Sequence, residues 1–106
     1  MEHSISVADF SVTPGPRLKV EGAFSGELFR ETVLKPAFEN AIQKGNKLTV
    51  NLDGTLGYGT SFLEEAFGGL AREKEVKSVL NNLAIIATEE PYLVEDIKEY
   101  IAKANG

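Results

Sequence analysis

Cysteine is absent from the 106-residue chain, and histidine occurs once, at His3. Without cysteine there can be no disulfide bond, no thiolate zinc site and no cysteine nucleophile. A single histidine beside the N-terminus also argues against a histidine-rich metal centre and a Ser-His-Asp triad. We therefore expect a protein that is not an enzyme and that carries neither a metal nor a cofactor.

Positive charge is also scarce, because eleven Lys and Arg stand against sixteen Asp and Glu, a net charge of −5. The cations form no basic stripe, so nucleic-acid binding is not expected. No apolar run approaches the ~20 residues that cross a bilayer, and the first residues lack the pattern of a secretory signal. We expect a cytoplasmic protein that binds neither nucleic acid nor membrane.

What is present is an ordinary domain composition, with 42% hydrophobic and 25% charged residues. A chain of this mass buries about 65% of its unfolded surface on folding, which is enough for one core. The sequence shows no repeat and no linker, so residues 1–106 are interpreted as a single domain.

The first segment predicts a β-hairpin. Residues 5–10 are rich in β-formers, residues 13–16 carry the turn signal Thr-Pro-Gly-Pro, and residues 17–21 alternate polar with apolar side chains.

A helix is predicted next, with Ser25 as its N-cap and Gly45 at its end. Pro36 lies inside the apolar pattern, where it removes a hydrogen bond, so a kink or two helical pieces are expected. The apolar positions recur at three- and four-residue steps: Phe29, Val33, Leu34, Ala37, Phe38, Ala41 and Ile42.

A central strand is predicted over residues 46–53, followed by a glycine-rich loop from Gly54 to Gly59. Ser61 and Glu64 match the capping box S-x-x-E, which places the start of the second helix at Ser61. The pair Gly68-Gly69 inside that helix indicates a close contact there.

The last third predicts a short helix near residues 76–80, a strand over residues 83–87 and a final helix opened by Thr88 and Pro91. The continuous apolar run 83–87 is typical of a strand covered on both faces. The resulting order is β-β-α-β-α-β-α, an α/β fold with a mixed sheet of about four strands. The strand holding Val50 and the strand holding Ile85 should be neighbours or near-neighbours in one sheet, with four apolar side chains packed on it: Phe29, Phe38, Phe67 and Ile97.

Four stretches give this chain its family resemblance: Gly22, residues 25–31 (SGELFRE), residues 34–37 (LKPA) and residues 57–70 (GYGTSFLEEAFGGL). Through them the chain resembles the bacterial family of STAS-like domains of unknown function, and through its element order it resembles the anti-sigma factor antagonists. The resemblance implies a regulatory domain that binds a protein partner, either an anti-sigma-type kinase or a histidine-kinase-like ATPase. In the antagonists the phosphoacceptor opens a helix and follows an Asp, whereas here Gly59 and Thr60 precede Ser61.

Two hydroxyls are therefore phosphoacceptor candidates, Ser61 and Thr60. Ser61 alone can be a structural cap worth ~1 kcal/mol, and a phosphate at a helix N-terminus is also electrostatically favourable. Six residues around them form the expected partner-binding surface: Gly57, Tyr58, Gly59, Thr60, Ser61 and Glu65.

Other interpretations involve the same region. The loop 54–59 can instead hold a phosphate or nucleotide, although it lacks the lysine of a phosphate-binding loop. Asp53 is expected to have a structural role or to form hydrogen bonds with a loop, and a paired-carboxylate site at Glu64 and Glu65 is a minor alternative. Arg30 is either a solvated charge or an ion partner of these carboxylates.

Overall fold

In the part of the chain that the structure describes, three short parallel strands form the sheet, in chain order. The computed structural model describes residues 3–104, and its strands are β1 (His3–Ser6), β2 (Leu48–Asn51) and β3 (Leu83–Ile86). The central position of β2 and its pairing with β3 are confirmed, since Val50 is aligned with Ile85. The α/β class is confirmed, but the expectation of a mixed sheet with about four strands is wrong.

Within residues 3–104, five helices and one 3₁₀ turn (Lys19–Glu21) accompany the strands. Two of the helices contain a widened, π-helical stretch, one over Arg30–Leu34 and one over Glu64–Gly68. No helix within residues 3–104 has the length and apolar character needed to span a membrane. The helices are α1 (Val7–Phe10), α2 (residues 26–43), α3 (residues 60–74), α4 (Val76–Asn82) and α5 (Tyr92–Ala102).

The predicted hairpin does not form. Residues 7–10 are helical, and residues 17–21 form part of a loop that closes on itself where the Gly15 amide donates to the Phe24 carbonyl at 2.9 Å. The carbonyls of Pro16 and Arg17 accept hydrogen bonds from the first turn of α2. The alternating segment is therefore used to cap a helix instead of to extend the sheet.

The helices cover only one face of the sheet. Both β-α-β connections advance in the same direction, and right-handed crossovers of that kind place their helices on the same side. On β3, Ala84 and Ile86 are accordingly exposed, so the expectation of a strand covered on both faces is wrong.

The core lies between the covered face and the helices. The predicted packing of the four side chains is confirmed, because all are buried in one hydrophobic cluster with β2: Phe29, Phe38, Phe67 and Ile97. The last helix also follows its predicted stripe, with Leu93 and Ile101 buried.

Helix α2 begins and ends close to where the sequence predicts. The Ser25 hydroxyl accepts from the Leu28 amide at 3.0 Å, which confirms the N-cap. Gly45, with φ of 74°, ends the helix in a Schellman arrangement. The expected change near Pro36 takes the form of the π-helical stretch Arg30–Leu34, after which an α-helical piece runs from Lys35 to Gln43 with Pro36 in its first turn, where a missing amide costs little.

Candidate functional site

The loops that follow the three strands meet at one end of the sheet, since parallel strands share their carboxyl ends. We call this end the carboxyl edge and define it as residues 7–13, 52–61 and 87–91. It holds the glycine-rich loop and both hydroxyls singled out from the sequence.

The glycine-rich loop is fixed to both neighbouring segments. The Leu56 amide donates to the Val12 carbonyl at 2.7 Å, and the Gly54 amide donates to the Glu89 carboxylate at 2.9 Å. Gly54 and Gly57 have φ of 96° and 140°, a region that favours glycine, so the chain turns sharply on either side of Leu56. The Leu56 side chain is consequently presented to solvent, at 83% exposure.

Tyr58 supports the loop from inside. Its hydroxyl donates to the Leu52 carbonyl at 2.6 Å, and its ring packs against Phe62. Burial raises the pKa of the Tyr58 hydroxyl to about 12. The expectation that Tyr58 belongs to the exposed working surface is corrected here, because the side chain is half-buried and its hydroxyl has a partner.

Asp53 binds the neighbouring loop, as the sequence predicts. One carboxylate oxygen accepts from the Thr88 hydroxyl at 2.5 Å and the other from the Glu89 amide at 3.0 Å. These hydrogen bonds, that of Thr88 first, hold the pKa of Asp53 below its ordinary value, since they favour the charged form. Asp53 thus joins the loop after β2 to the loop after β3.

Helix α3 begins one residue earlier than predicted, and the predicted capping box is wrong. Gly59 is the N-cap, so Thr60 and Ser61 already lie in the first turn, and no side chain caps the helix. The Glu64 carboxylate, which a capping box would direct to the helix start, binds Arg17 and Arg72 instead.

The start of α3 therefore leaves hydrogen-bonding capacity free. Thr60 and Ser61 are exposed, and within residues 3–104 no acceptor lies on their amides or on that of Phe62. Free amides and the helix dipole give this end a partial positive charge.

The rest of the carboxyl edge is negative and partly apolar. The three segments that define it contain no Lys or Arg. Val12 is 50% exposed beside Leu56. The carboxylates of the edge are Asp9, Asp53, Glu89 and Glu90.

A different arrangement joins α2 to α3. Arg30 donates to the Glu65 carboxylate at 2.6 Å, to the Glu65 carbonyl at 2.8 Å and to the Glu73 carboxylate at 3.0 Å. Its side chain is only 11% exposed and that of Glu65 only 14%. The ion-partner interpretation of Arg30 is confirmed, whereas the expected exposure of Glu65 on the helix surface is wrong.

These pairs belong to a continuous ion-pair network. Arg17 reaches Glu64 and, at 3.4 Å, Glu65. Arg72 chiefly, and Arg17 next, hold the pKa of Glu64 below its ordinary value, the opposite of what a general acid requires. The members, in order of contact, are Arg72, Glu64, Arg17, Glu65, Arg30, Glu73 and Lys35.

Most of this network could not be predicted from the sequence, in which only one local feature indicates it. The close contact predicted at Gly68-Gly69 is confirmed: the Arg30 guanidinium lies over Gly69, where a Cβ atom would collide with it. Arg72 and Glu64 lie eight residues apart on α3, but the other pairs are separated by dozens of residues, as Arg17 and Glu65 are, and no periodicity relates them.

Comparison with known proteins identifies the family. Within residues 3–104 no group of three or more His, Cys, Asp or Glu could hold a metal ion. No curated protein and no solved structure matches the chain significantly. A family model described as a STAS-like domain of unknown function matches residues 25–93, which span α2, β2, α3, α4 and β3. Because that match covers more than half of the sequence, the chain belongs to the family of STAS-like domains of unknown function.

Proposed function

We propose that the chain is a cytoplasmic regulatory domain that binds a protein partner through its carboxyl edge. The observation that carries the proposal is the start of α3, where two exposed hydroxyls and free amides lie on the same carboxyl edge as the solvent-exposed Leu56. By family resemblance, the partner is an anti-sigma-type kinase or a histidine-kinase-like ATPase. The domain acts as a switch and not as a catalyst.

Phosphorylation of Thr60 or Ser61 is the proposed control. A phosphate carries about −2 charge, and the free amides and dipole at the start of α3 stabilise it in the folded domain. The carboxylates of Asp53 and Glu89 already make this edge negative. Further negative charge in an interface weakens binding unless the partner supplies an arginine. Modification thus changes affinity more than it changes folding.

The partner can be located by photocrosslinking. A photoreactive amino acid at Leu56 probes the carboxyl edge, and the same group at Lys47, exposed on the opposite end beside the start of β2, is the control. We expect one protein to crosslink at position 56 and not at 47. Crosslinking only from position 47 would contradict the proposal.

Affinity for the identified and purified partner then tests the switch. Calorimetry should give weaker binding for Thr60→Asp and Ser61→Asp than for the wild type. Asn46→Asp adds the same charge beside Lys47 and should leave binding unchanged. Equal affinity for all these variants would contradict control by phosphorylation, although the partner could still bind at the carboxyl edge.

The free amides also favour a second candidate, a phosphate- or nucleotide-binding site at the start of α3. The chain lacks the lysine that phosphate-binding loops use, so we expect no tight binding. A ligand present at a hundred times its dissociation constant stabilises the fold by about 2.7 kcal/mol. A reproducible thermal shift with ATP or GTP, absent in Thr60→Asp, would favour this candidate over the partner-binding switch.

A further inference from the structure

The outer side of β3 carries backbone groups without partners. The Leu52 amide donates to the Ile86 carbonyl at 2.8 Å, so Ile86 directs its backbone groups toward β2. Successive residues of a strand point in opposite directions, and therefore the N–H and C=O groups of Leu83 and Ile85 face away from the sheet. Nothing in residues 3–104 hydrogen-bonds to them.

Apart from its length of only four residues, β3 lacks the devices that usually prevent strand pairing. Edge strands commonly carry a lysine, a proline or a bulge, whereas β3 consists of Leu83, Ala84, Ile85 and Ile86. Ile86 is 41% exposed on the uncovered face. A groove of about 190 Å³ runs beside the strand, and its lining includes Leu80, Leu83, Ile85, Val94 and Lys98.

We propose that β3 pairs antiparallel with β3 of a second copy of this chain, around a two-fold axis at Ile85. In this register Ile85 lies opposite Ile85 of the second copy, and Leu83 lies opposite Ala87. These outward-facing residues are the ones that exchange both hydrogen bonds in an antiparallel pair. The two sheets become one continuous sheet.

The side chains and charges of β3 fit a second copy. On the uncovered face Ala84 lies opposite Ile86 of the second copy, so a small side chain meets a large one on both sides of the axis. Neither strand carries a charge, so pairing places no like-charged side chains opposite each other within the two strands. The contact is isologous and closes as a dimer, whereas pairing of β3 with the polar edge strand β1 would propagate without limit.

Molar mass measured against protein concentration tests the proposal. Sedimentation velocity should show the 11.5 kDa monomer converting to a species of twice that mass as concentration rises. Ala84→Lys places a charge at the pairing edge and acts twice in the dimer, so the dissociation constant should rise about tenfold or more. Ser4→Lys is the matched control, because Ser4 occupies the same row and face on β1.

A cysteine pair tests the register and does not depend on how well Ala84→Lys folds. The chain has no native cysteine, and Ala84→Cys/Ile86→Cys should give a covalent dimer on mild oxidation, since opposed residues lie close enough for a disulfide. Ser4→Cys/Ser6→Cys should not. A wild type that stays monomeric at every concentration would overturn the proposal. Loss of the dimer in Ser4→Lys alone, or covalent dimers from the β1 pair alone, would overturn it too.

Discussion

Helices α2 and α3 begin in opposite ways, although both start near a serine. At α2, Ser25 is buried and its hydroxyl accepts from the Leu28 amide. The carbonyls of Pro16 and Arg17 accept from the two amides before it, at 2.8 and 3.0 Å. Every backbone donor in that first turn therefore has a partner, and this helix start serves the fold.

At α3 the serine lies inside the helix and caps nothing. Gly59 takes the cap position, and the exposed Ser61 hydroxyl makes no hydrogen bond within the described part of the chain. A serine therefore caps a helix only where it occupies the residue before the first turn. The starts of α2 and α3 thus share residue types. They differ in whether their amides and serine hydroxyl have hydrogen-bond partners within the fold.

Mutations in the ion-pair network that joins α2 to α3 should change the stability of the fold most strongly. Arg30→Leu leaves the nearly buried Glu65 carboxylate without its main partner, and we expect a loss of about 3 kcal/mol in unfolding free energy, measured by urea denaturation. The double variant Arg30→Leu/Glu65→Leu should recover most of that loss. A loss below about 1 kcal/mol for Arg30→Leu would mean that the network is no stronger than surface ion pairs.

Helix packing beside the network gives the next largest effect. A Cβ at Gly26 would lie 2.6 Å from the Phe62 carbonyl oxygen, so Gly26→Ala must push α2 away from α3. We expect a destabilisation of about 2 kcal/mol. Gly59→Ala is the control, because nothing lies within 4 Å of its Cβ position. Equal stabilities of the two variants would show that the helices separate at little cost.

The two serines provide the direct comparison. Ser25→Ala removes a buried cap and should lower the unfolding free energy by about 1 kcal/mol. Ser61→Ala removes an exposed hydroxyl without a partner and should change it by less than about 0.5 kcal/mol. Thermal unfolding followed by circular dichroism measures both. If Ser61→Ala lost more stability than Ser25→Ala, Ser61 would cap α3 as the sequence predicts.

Sequence patterns predict the features of the fold that depend on local residue spacing. Apolar steps of three and four residues located the helices, and Ser25 was identified as a cap because the apolar pattern begins just after it. The prediction that β2 and β3 lie near each other follows from their apolar character and from the helices that separate them in the chain. Each of these inferences uses residues that are close in the chain.

Long-range pairing explains what the sequence could not predict. Residues 17–21 alternate like a strand, yet Arg17 binds Glu64, 47 residues away, and its carbonyl caps α2. At Ser61 the capping pattern is present, but Glu64 binds two arginines and is not free to complete it. In both places a tertiary ion pair overrides a local preference of about 1 kcal/mol.

The pH dependence of stability gives a smaller effect. Arg72 lowers the pKa of Glu64, and Lys35 chiefly lowers that of Glu73. Stability from a carboxyl with a lowered folded pKa is present above its unfolded value, ~4.3, and is lost as pH falls through the folded pKa. Urea denaturation at falling pH should therefore show an acid-side loss that is shallower in Glu64→Gln, by about 0.5 kcal/mol for exposed pairs. Identical profiles would mean that Glu64 titrates alike in the folded and unfolded chains.

The smallest expected effect is a gain in stability at the start of α3. Gly59 has φ of −88° and ψ of 148°, a conformation that any residue adopts, and a side chain there meets no neighbour. Gly59→Asp can accept from the free amides of Ser61 or Phe62, so unfolding free energy should rise by a few tenths of a kcal/mol and the melting temperature by about 1 °C. Gly59→Ala cannot accept and should give no gain. A loss of stability in Gly59→Asp would instead mean that repulsion from Asp53 and Glu89 outweighs the new cap, and it would weaken the argument that a phosphate is tolerated one residue further on.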